Sequence, residues 1–165
     1  MTDRPSSHRT FLPLGIDLRG TRCVVIGGGA VGTRKAATLA GAGARVAVVA
    51  PVVTDELHAL ITAGTVQWIE ARYQETHGRD AFLVVAATDD LGLNAAITRE
   101  ARRAGALVCD ASSREGSQVI FGALCDRDDA TIAVFTDGRD PSHARRTRDR
   151  VADLLARDPE REAKR

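Results

Sequence analysis

The chain of 165 residues lacks several features that mark particular classes of protein. It has only three cysteines, and their wide spacing argues against a disulfide framework or a structural zinc site. No apolar run approaches the ~20 residues that a membrane-spanning helix needs. Residues 1–10 also lack the apolar core of a secretory signal, so we expect a cytoplasmic protein with no membrane partner. The cysteines are Cys23, Cys109 and Cys125.

Net charge and aromatic content are also low. The 23 Lys and Arg residues nearly balance the 22 Asp and Glu residues, so the overall charge does not favour binding to nucleic acid. Aromatic residues make up only 4%, but hydrophobic residues reach 44% and charged residues 27%, which is typical of a globular chain. At this length we expect one domain with at most a small appended region.

Short apolar segments alternate with helix-forming segments along the first two thirds of the chain. The β-branched segment Arg22–Ile26 predicts a strand buried on both faces, and Ala30–Gly41 predicts the helix that follows it. The repetition of this pattern as far as Asp110 predicts a doubly wound α/β domain with a parallel sheet. The other predicted strands are 45–50, 66–70, 81–87 and 107–109. The other predicted helices are 55–63, with Thr54 as its N-cap, and about 91–104, capped by Asp89 or Asp90.

The pattern changes in the last third of the chain. Residues 118–125 and 131–136 predict two strands joined by a charged turn at 126–129, which is typical of an antiparallel pair. A last helix is predicted to begin near Pro141. The apolar residues that would share one stripe of this helix are Val151, Leu154 and Leu155.

A glycine cluster directly follows the first predicted strand. Gly27, Gly29 and Gly32 form the pattern G-x-G-x-x-G between a strand and a helix, the context in which this pattern binds dinucleotides. The first glycine permits a tight turn, the second lets a pyrophosphate approach the backbone, and the third lets helix and strand pack closely. A purely structural glycine turn is the alternative interpretation.

The acidic residue that often contacts the ribose of NAD is missing from its expected place. A dinucleotide fold commonly ends its second strand with Asp or Glu, but this strand ends with Ala50, Pro51 and Val52. Asp55 is the nearest acid, and it is equally well explained as a first-turn residue of the next helix. Since no arginine stands there to bind a 2′-phosphate, the sequence favours NAD over NADP only slightly.

Several segments resemble one family. The string VVIGGGAVGTRK at 24–35, with residues 11–20 before it, resembles the opening of the precorrin-2 dehydrogenases of the sirohaem and cobalamin pathways. Residues 86–90, followed by Asn94, resemble a strand-end signature of that family, and residues 132–142 resemble its later strand and Gly-x-x-Pro loop. The resemblance implies NAD-dependent oxidation of precorrin-2 to sirohydrochlorin, and some family members also insert ferrous iron.

The resemblance also implies how the chain is organised. It implies a Rossmann-like NAD-binding domain over 12–113, a small β-pair and helix over 114–156 for homodimerisation and substrate binding, and a charged tail over 157–165. Family members continue into a further helical region after Leu155, so we expect a shortened member. The residues that would line the NAD site are Gly27, Gly29, Ala30, Val31, Gly32, Pro51, Val52 and Thr88.

Asp110 is the candidate catalytic residue. Oxidation by hydride transfer needs a group that accepts a proton, and Asp110 ends a strand at the edge of the sheet where ligands bind. The resemblance implies an aspartate in this region, but counting back from Phe121 without a gap places Ser112 at its position. The alternative is that Asp110 caps a turn through backbone N–H groups. Thr88 has a similar alternative, in which its hydroxyl caps the next helix.

The expected substrate is a polycarboxylate, so its site should contain several guanidinium groups. The last predicted helix and the loop before it contain such a cluster. A solvated basic face, paired with nearby aspartates, is the alternative interpretation. The candidate substrate-binding residues are Arg139, Arg145, Arg146 and Arg148.

Two other functions stay open from the sequence. One is a bifunctional dehydrogenase and ferrochelatase, although the four histidines have no Cys or carboxylate at metal-ligand spacing and no metal site is predicted. The other is a non-enzymatic NAD-sensing regulatory module, which would use the same glycines but would not need Asp110 or the arginine cluster.

Overall fold

A computed structural model of the chain describes residues 11–127 and 130–156. The predicted tail at 157–165 lies outside these ranges, as does part of the predicted turn at 126–129. The described residues form two compact units. The larger unit comprises Gly15–Val119, and the smaller unit comprises the other described residues.

The larger unit is built on a five-stranded parallel sheet. Its strands are β1 (Arg22–Ile26), β2 (Arg45–Val49), β3 (Gln67–Ile69), β4 (Leu83–Ala86) and β5 (Leu107–Asp110). They lie in the order β3-β2-β1-β4-β5, so β1 is central. This confirms the predicted Rossmann-like, doubly wound α/β fold. The chain order reverses between β1 and β4, where such sheets form their ligand crevice.

Three α-helices connect these strands, and two of them begin at the caps that the sequence predicts. The Thr54 hydroxyl accepts a hydrogen bond from the N–H of Leu57, and the Asp90 carboxylate accepts one from the N–H of Leu93. A short 3-10 helix at Glu75–Gly78 lies between β3 and β4. The α-helices are α1 (Ala30–Gly41), α2 (Asp55–Thr62) and α3 (Leu91–Arg103).

The central strands form the core of the larger unit. Val24, Val25, Val84 and Val85 are fully buried, and alternate residues of each strand point to opposite faces of the sheet. Ile97 of α3 packs into the same cluster as Val24 and Val84. Because both faces are covered, these strands are continuous apolar runs rather than alternating ones.

The smaller unit contains an antiparallel pair of strands and one helix. The elements are β6 (Ala123–Arg127), β7 (Ala130–Val134) and α4 (Pro141–Ala156). The helix packs against both strands. The N–H of Phe11 donates to the Asp137 carboxylate at 3.1 Å, which joins the first described residues to this unit. None of the helices in the described ranges combines the length and apolar character of a bilayer-spanning segment.

The strand predicted at 118–125 begins later than the sequence suggests. The N–H groups of Gln118 and Val119 both donate to the carbonyl oxygen of Val108 in β5, at 2.8 and 3.0 Å. These residues therefore cover the edge of the parallel sheet instead of pairing with β7. The larger unit consequently extends to Val119, beyond the predicted boundary at residue 113.

Candidate functional site

The glycine cluster forms a tight turn between β1 and α1. Gly27 has a φ of +116°, and a Cβ there would overlap the carbonyl oxygen of Ala87. A Cβ on Gly32 would overlap the carbonyl oxygen of Gly27, so α1 approaches β1 as closely as only glycine permits. Gly29 differs, because it is exposed and no atom lies within 4 Å of the position of a Cβ. Gly29 therefore leaves room for a ligand.

Gly28 also belongs to this turn, although it is not one of the three glycines of the G-x-G-x-x-G pattern. A Cβ on Gly28 would overlap the carbonyl oxygen of Val52, and its own carbonyl oxygen accepts the N–H of Thr54 at 3.1 Å. The loop after β2 therefore packs directly on the glycine turn. The run of three successive glycines is the sequence signal that could have revealed this contact.

Two threonines hold the glycine turn in place, and neither was identified from the sequence as part of the site. The Thr33 hydroxyl donates to the carbonyl oxygen of Gly29 at 3.0 Å and lies 2.8 Å from the Thr54 hydroxyl. Thr33 is completely buried. These bonds join α1, α2 and the glycine turn, so the crevice is preorganised.

The N-terminus of α1 is suited to an anion. Its N-cap is Gly29, which provides no side-chain hydrogen bond, and its first turn contains no acidic residue. Each of the other three described α-helices has a side-chain cap. At α4 the cap is Asp140, and the N–H of His143 holds the pKa of this carboxyl below its usual value. The free N–H groups at the start of α1, next to Ala30 and Val31, therefore fit the pyrophosphate of a dinucleotide.

The loop after β2 forms another wall of the crevice. Pro51 and Val52 are exposed, and the Val52 side chain retains 75% of its accessible surface. Asp55 is the first residue of α2, next to the Thr54 cap. This position agrees with the first-turn interpretation of Asp55, and its contact with a ribose stays a prediction.

A buried asparagine connects the ends of β4 and β5. The Asn94 Oδ1 accepts hydrogen bonds from the N–H and the hydroxyl of Thr88, at 3.0 and 2.7 Å. Its Nδ2 donates to the Thr88 carbonyl oxygen at 3.0 Å and to the Ser112 hydroxyl at 3.2 Å. Thr88 therefore takes part in the turn before α3, but the N-cap of α3 is Asp90 and not Thr88. The contact of Thr88 with a dinucleotide stays a prediction.

Replacing Asn94 with alanine should lower the free energy of unfolding by about 2–3 kcal/mol, because the fully buried Asn94 side chain makes the hydrogen bonds that satisfy the Thr88 N–H and carbonyl oxygen. Urea denaturation of both proteins would measure this difference. The control is Thr62→Ala, since the exposed Thr62 hydroxyl bonds only within its own helix, to His58. The control should change by less than about 0.5 kcal/mol, and equal losses in the two variants would contradict the role given to Asn94.

Asp110 ends β5 with its carboxylate turned into a short loop. Its Oδ1 accepts hydrogen bonds from the N–H groups of Ser112 and Ser113, at 2.8 and 3.1 Å, and from the Ser112 hydroxyl at 2.5 Å. Its Oδ2 accepts no hydrogen bond from a residue in the described ranges. Asp110 thus caps a turn, and the same carboxylate keeps one oxygen for another partner.

The Asp110 and Ser112 side chains form one hydrogen-bonded pair at the edge of the sheet where the strands end. The sequence left open which of them occupies the acid position of the family. The two side chains are in direct contact, so both belong to the same turn after β5. Which of them accepts a proton stays a prediction.

Lys35 of the family-like string 24–35 lies close to Cys109. Burial lowers the pKa of Lys35, and the nearby Cys109 partly opposes this shift. Burial also raises the pKa of the Cys109 thiol, which disfavours its thiolate form. Arg34 is exposed on α1.

No three His, Cys, Asp or Glu side chains in the described part of the chain form a group that could hold a metal ion.

The arginines predicted to bind substrate all have partners within the smaller unit. Their contacts are those of a solvated, paired basic face, which was the alternative interpretation. Their binding of substrate stays a prediction. The pairs are Arg139 with Asp137 at 3.6 Å, Arg146 with Asp140 at 4.0 Å, Arg148 with Asp149 at 2.7 Å and Arg145 with Ser142 at 3.2 Å.

Comparison with known proteins agrees with this geometry. Residues 14–123 match a family model described as "Putative NAD(P)-binding". Siroheme synthase 1 of Aeromonas salmonicida is 36% identical over 145 residues, which are 88% of this chain and 31% of that protein. The siroheme synthase of Pseudomonas aeruginosa is 42% identical over 135 residues, which are 82% of this chain and 29% of that protein. The chain thus spans less than a third of these curated relatives.

A solved structure extends the comparison to the fold of both units. SirC, a precorrin-2 dehydrogenase, matches with a TM-score of 0.74 and 26% identity, over 87% of this chain and 71% of that chain. The chain therefore belongs to the NAD(P)-binding family that its glycine turn predicts, and its resemblance to the precorrin-2 dehydrogenases is confirmed.

Proposed function

We propose that this protein is an NAD-dependent dehydrogenase that oxidises precorrin-2 to sirohydrochlorin. The observation that carries the proposal is its similarity to the SirC precorrin-2 dehydrogenase, which extends over 87% of the chain. The open turn at Gly29 and the Asp110–Ser112 pair support it, because the reaction needs a dinucleotide site and a proton acceptor.

Different residues of the crevice would bind the cofactor and accept the proton. The N–H groups next to Ala30 and Val31 would hold the phosphates, and the exposed Pro51 and Val52 would line the nucleotide. When bound, NAD supplies the acceptor for the hydride that leaves the substrate carbon. Asp110 would accept the proton that leaves with it, through the Oδ2 that the turn does not use.

An anaerobic assay of the purified protein tests this proposal. The protein is mixed with precorrin-2 and NAD, and both products are followed by their absorbance. We expect sirohydrochlorin and NADH to form in equal molar amounts. A protein that binds NAD but leaves precorrin-2 unchanged would contradict the proposal and would favour the sensing module. Addition of ferrous ion to sirohydrochlorin, with and without the protein, tests the ferrochelatase alternative separately.

We also propose that the protein is a cytoplasmic homodimer. Its three cysteines are free, as is usual in a reducing compartment. The smaller unit supports the dimer, because a pair of strands with one helix is too small to bury its own apolar side chains. Leu154 of α4 keeps 70% of its surface exposed, and Leu124 of β6 keeps 40%. A second copy of the chain would cover these leucines.

Leu154→Asp should weaken the dimer at least about tenfold, because a charge would be buried in the interface. Analytical ultracentrifugation over a range of protein concentrations would measure the dissociation constant. Ala59→Asp is a matched control, since Ala59 is an exposed residue of α2 in the larger unit. A monomeric wild type, or equal weakening by both substitutions, would contradict the proposal.

A further inference from the structure

A cleft of about 470 Å³ lies between α3 and the segment that follows β5. The helix contributes Arg99, Arg102 and Arg103 to its lining, and the strand end contributes Asp110 and Ser112. Because α3 begins and β5 ends at the same edge of the sheet, one end of the cleft opens beside the candidate proton acceptor.

These arginines differ from the C-terminal cluster in their partners. The Arg102 guanidinium donates to the carbonyl oxygen of Gly116 at 3.2 Å. Arg99 and Arg103 are exposed, and neither forms an ion pair or hydrogen bond with another residue of the ranges that the structure covers. The two lie one helical turn apart and share a face of α3. Their charges therefore remain available to an anionic ligand.

We propose that this cleft binds carboxylate groups of the tetrapyrrole substrate, with Arg99 and Arg103 as the main partners. The inference rests on the proposed function and adds where the substrate's acidic groups bind. The 13 residues of α3 extend from the edge of the crevice towards the opposite end of the sheet, a length of about 20 Å. The arginines of its last turns can thus hold peripheral carboxylates while the reacting edge of the macrocycle stays near Asp110.

Uroporphyrin I, an octacarboxylate macrocycle, is a suitable probe because its binding can be followed by its own fluorescence anisotropy. We expect the double variant Arg99→Gln/Arg103→Gln of the full chain to bind it about tenfold more weakly than wild type. The control is Arg72→Gln/Arg79→Gln, which removes the same charge from exposed positions outside the cleft. The control should differ from wild type by less than about twofold, because solvent and salt screen distant charges.

The result can overturn the inference without deciding the proposed function. Absence of saturable binding by wild type, or equal affinity in the two double variants, would overturn it. The precorrin-2 assay then separates the two proposals. If Arg99→Gln/Arg103→Gln oxidises precorrin-2 with an unchanged KM, the cleft does not bind the substrate's carboxylates but the proposed function stands. If the wild type does not oxidise precorrin-2 and only this double variant loses uroporphyrin binding, the cleft binds carboxylates but the proposed function is wrong.

Discussion

Gly29→Ala is expected to weaken NAD binding at least about tenfold while the protein stays folded. No atom lies within 4 Å of the position that the new Cβ would take, and the φ of −76° suits alanine. A pyrophosphate at the start of α1 would need the same space. Isothermal titration calorimetry with NAD measures the affinity, and thermal unfolding verifies the fold.

Two glycines within α1 provide matched controls for this substitution at its N-cap. Gly41 has no atom near the position of a Cβ and lies at the other end of the helix, so Gly41→Ala should keep both stability and NAD affinity. Gly32→Ala should lower the free energy of unfolding by about 2–3 kcal/mol, because its Cβ would overlap the Gly27 carbonyl oxygen. Wild-type affinity in Gly29→Ala would contradict the placement of the dinucleotide.

Asp110→Asn is expected to lower kcat for precorrin-2 oxidation by about 100-fold or more, because an amide cannot accept the proton. The amide oxygen can still accept the hydrogen bonds from Ser112 and Ser113, so the turn after β5 should persist. Anaerobic turnover measures kcat, and urea denaturation compares the stability of variant and wild type.

Ser112→Ala separates the two members of the pair. The variant removes the hydroxyl that donates to Asp110 but leaves the carboxylate in place. If Asp110 accepts the proton, Ser112→Ala should lower kcat by no more than about tenfold, a smaller loss than that of Asp110→Asn. Full activity in Asp110→Asn would mean that Asp110 only caps the turn.

Local pattern was sufficient to predict most of the fold. Strands such as Arg22–Ile26 are continuous apolar runs, and their alternation with helices requires a parallel sheet. The cap Thr54 could be recognised, and the cap of α3 could be narrowed to Asp89 or Asp90, because an N-cap needs a side-chain acceptor directly before the first helical residues. The start of β6 was misplaced because the backbone of Gln118 and Val119 has a partner in β5, which a local pattern does not contain.

The candidate site was only partly predictable for the same reason. The spacing of Gly27, Gly29 and Gly32 depends on the local turn and could be recognised directly. Asn94 could be recognised only as part of a resemblance, since its role comes from bonds that join two strand ends. The charged cluster at the last helix was visible in the sequence, but its pairing with aspartates depends on where the side chains lie in the folded chain.

The order of strands and helices, the glycine turn and the family could be read from the amino-acid sequence, because these features depend on neighbouring residues. Which polar groups meet became clear from the folded chain. It joined Asp110 to Ser112, and it placed Arg99 and Arg103 along the same cleft with no ion pair or hydrogen bond to another described residue. Such contacts form when the fold brings two side chains close together in space. A local sequence pattern does not show which residues from separate parts of the chain will meet.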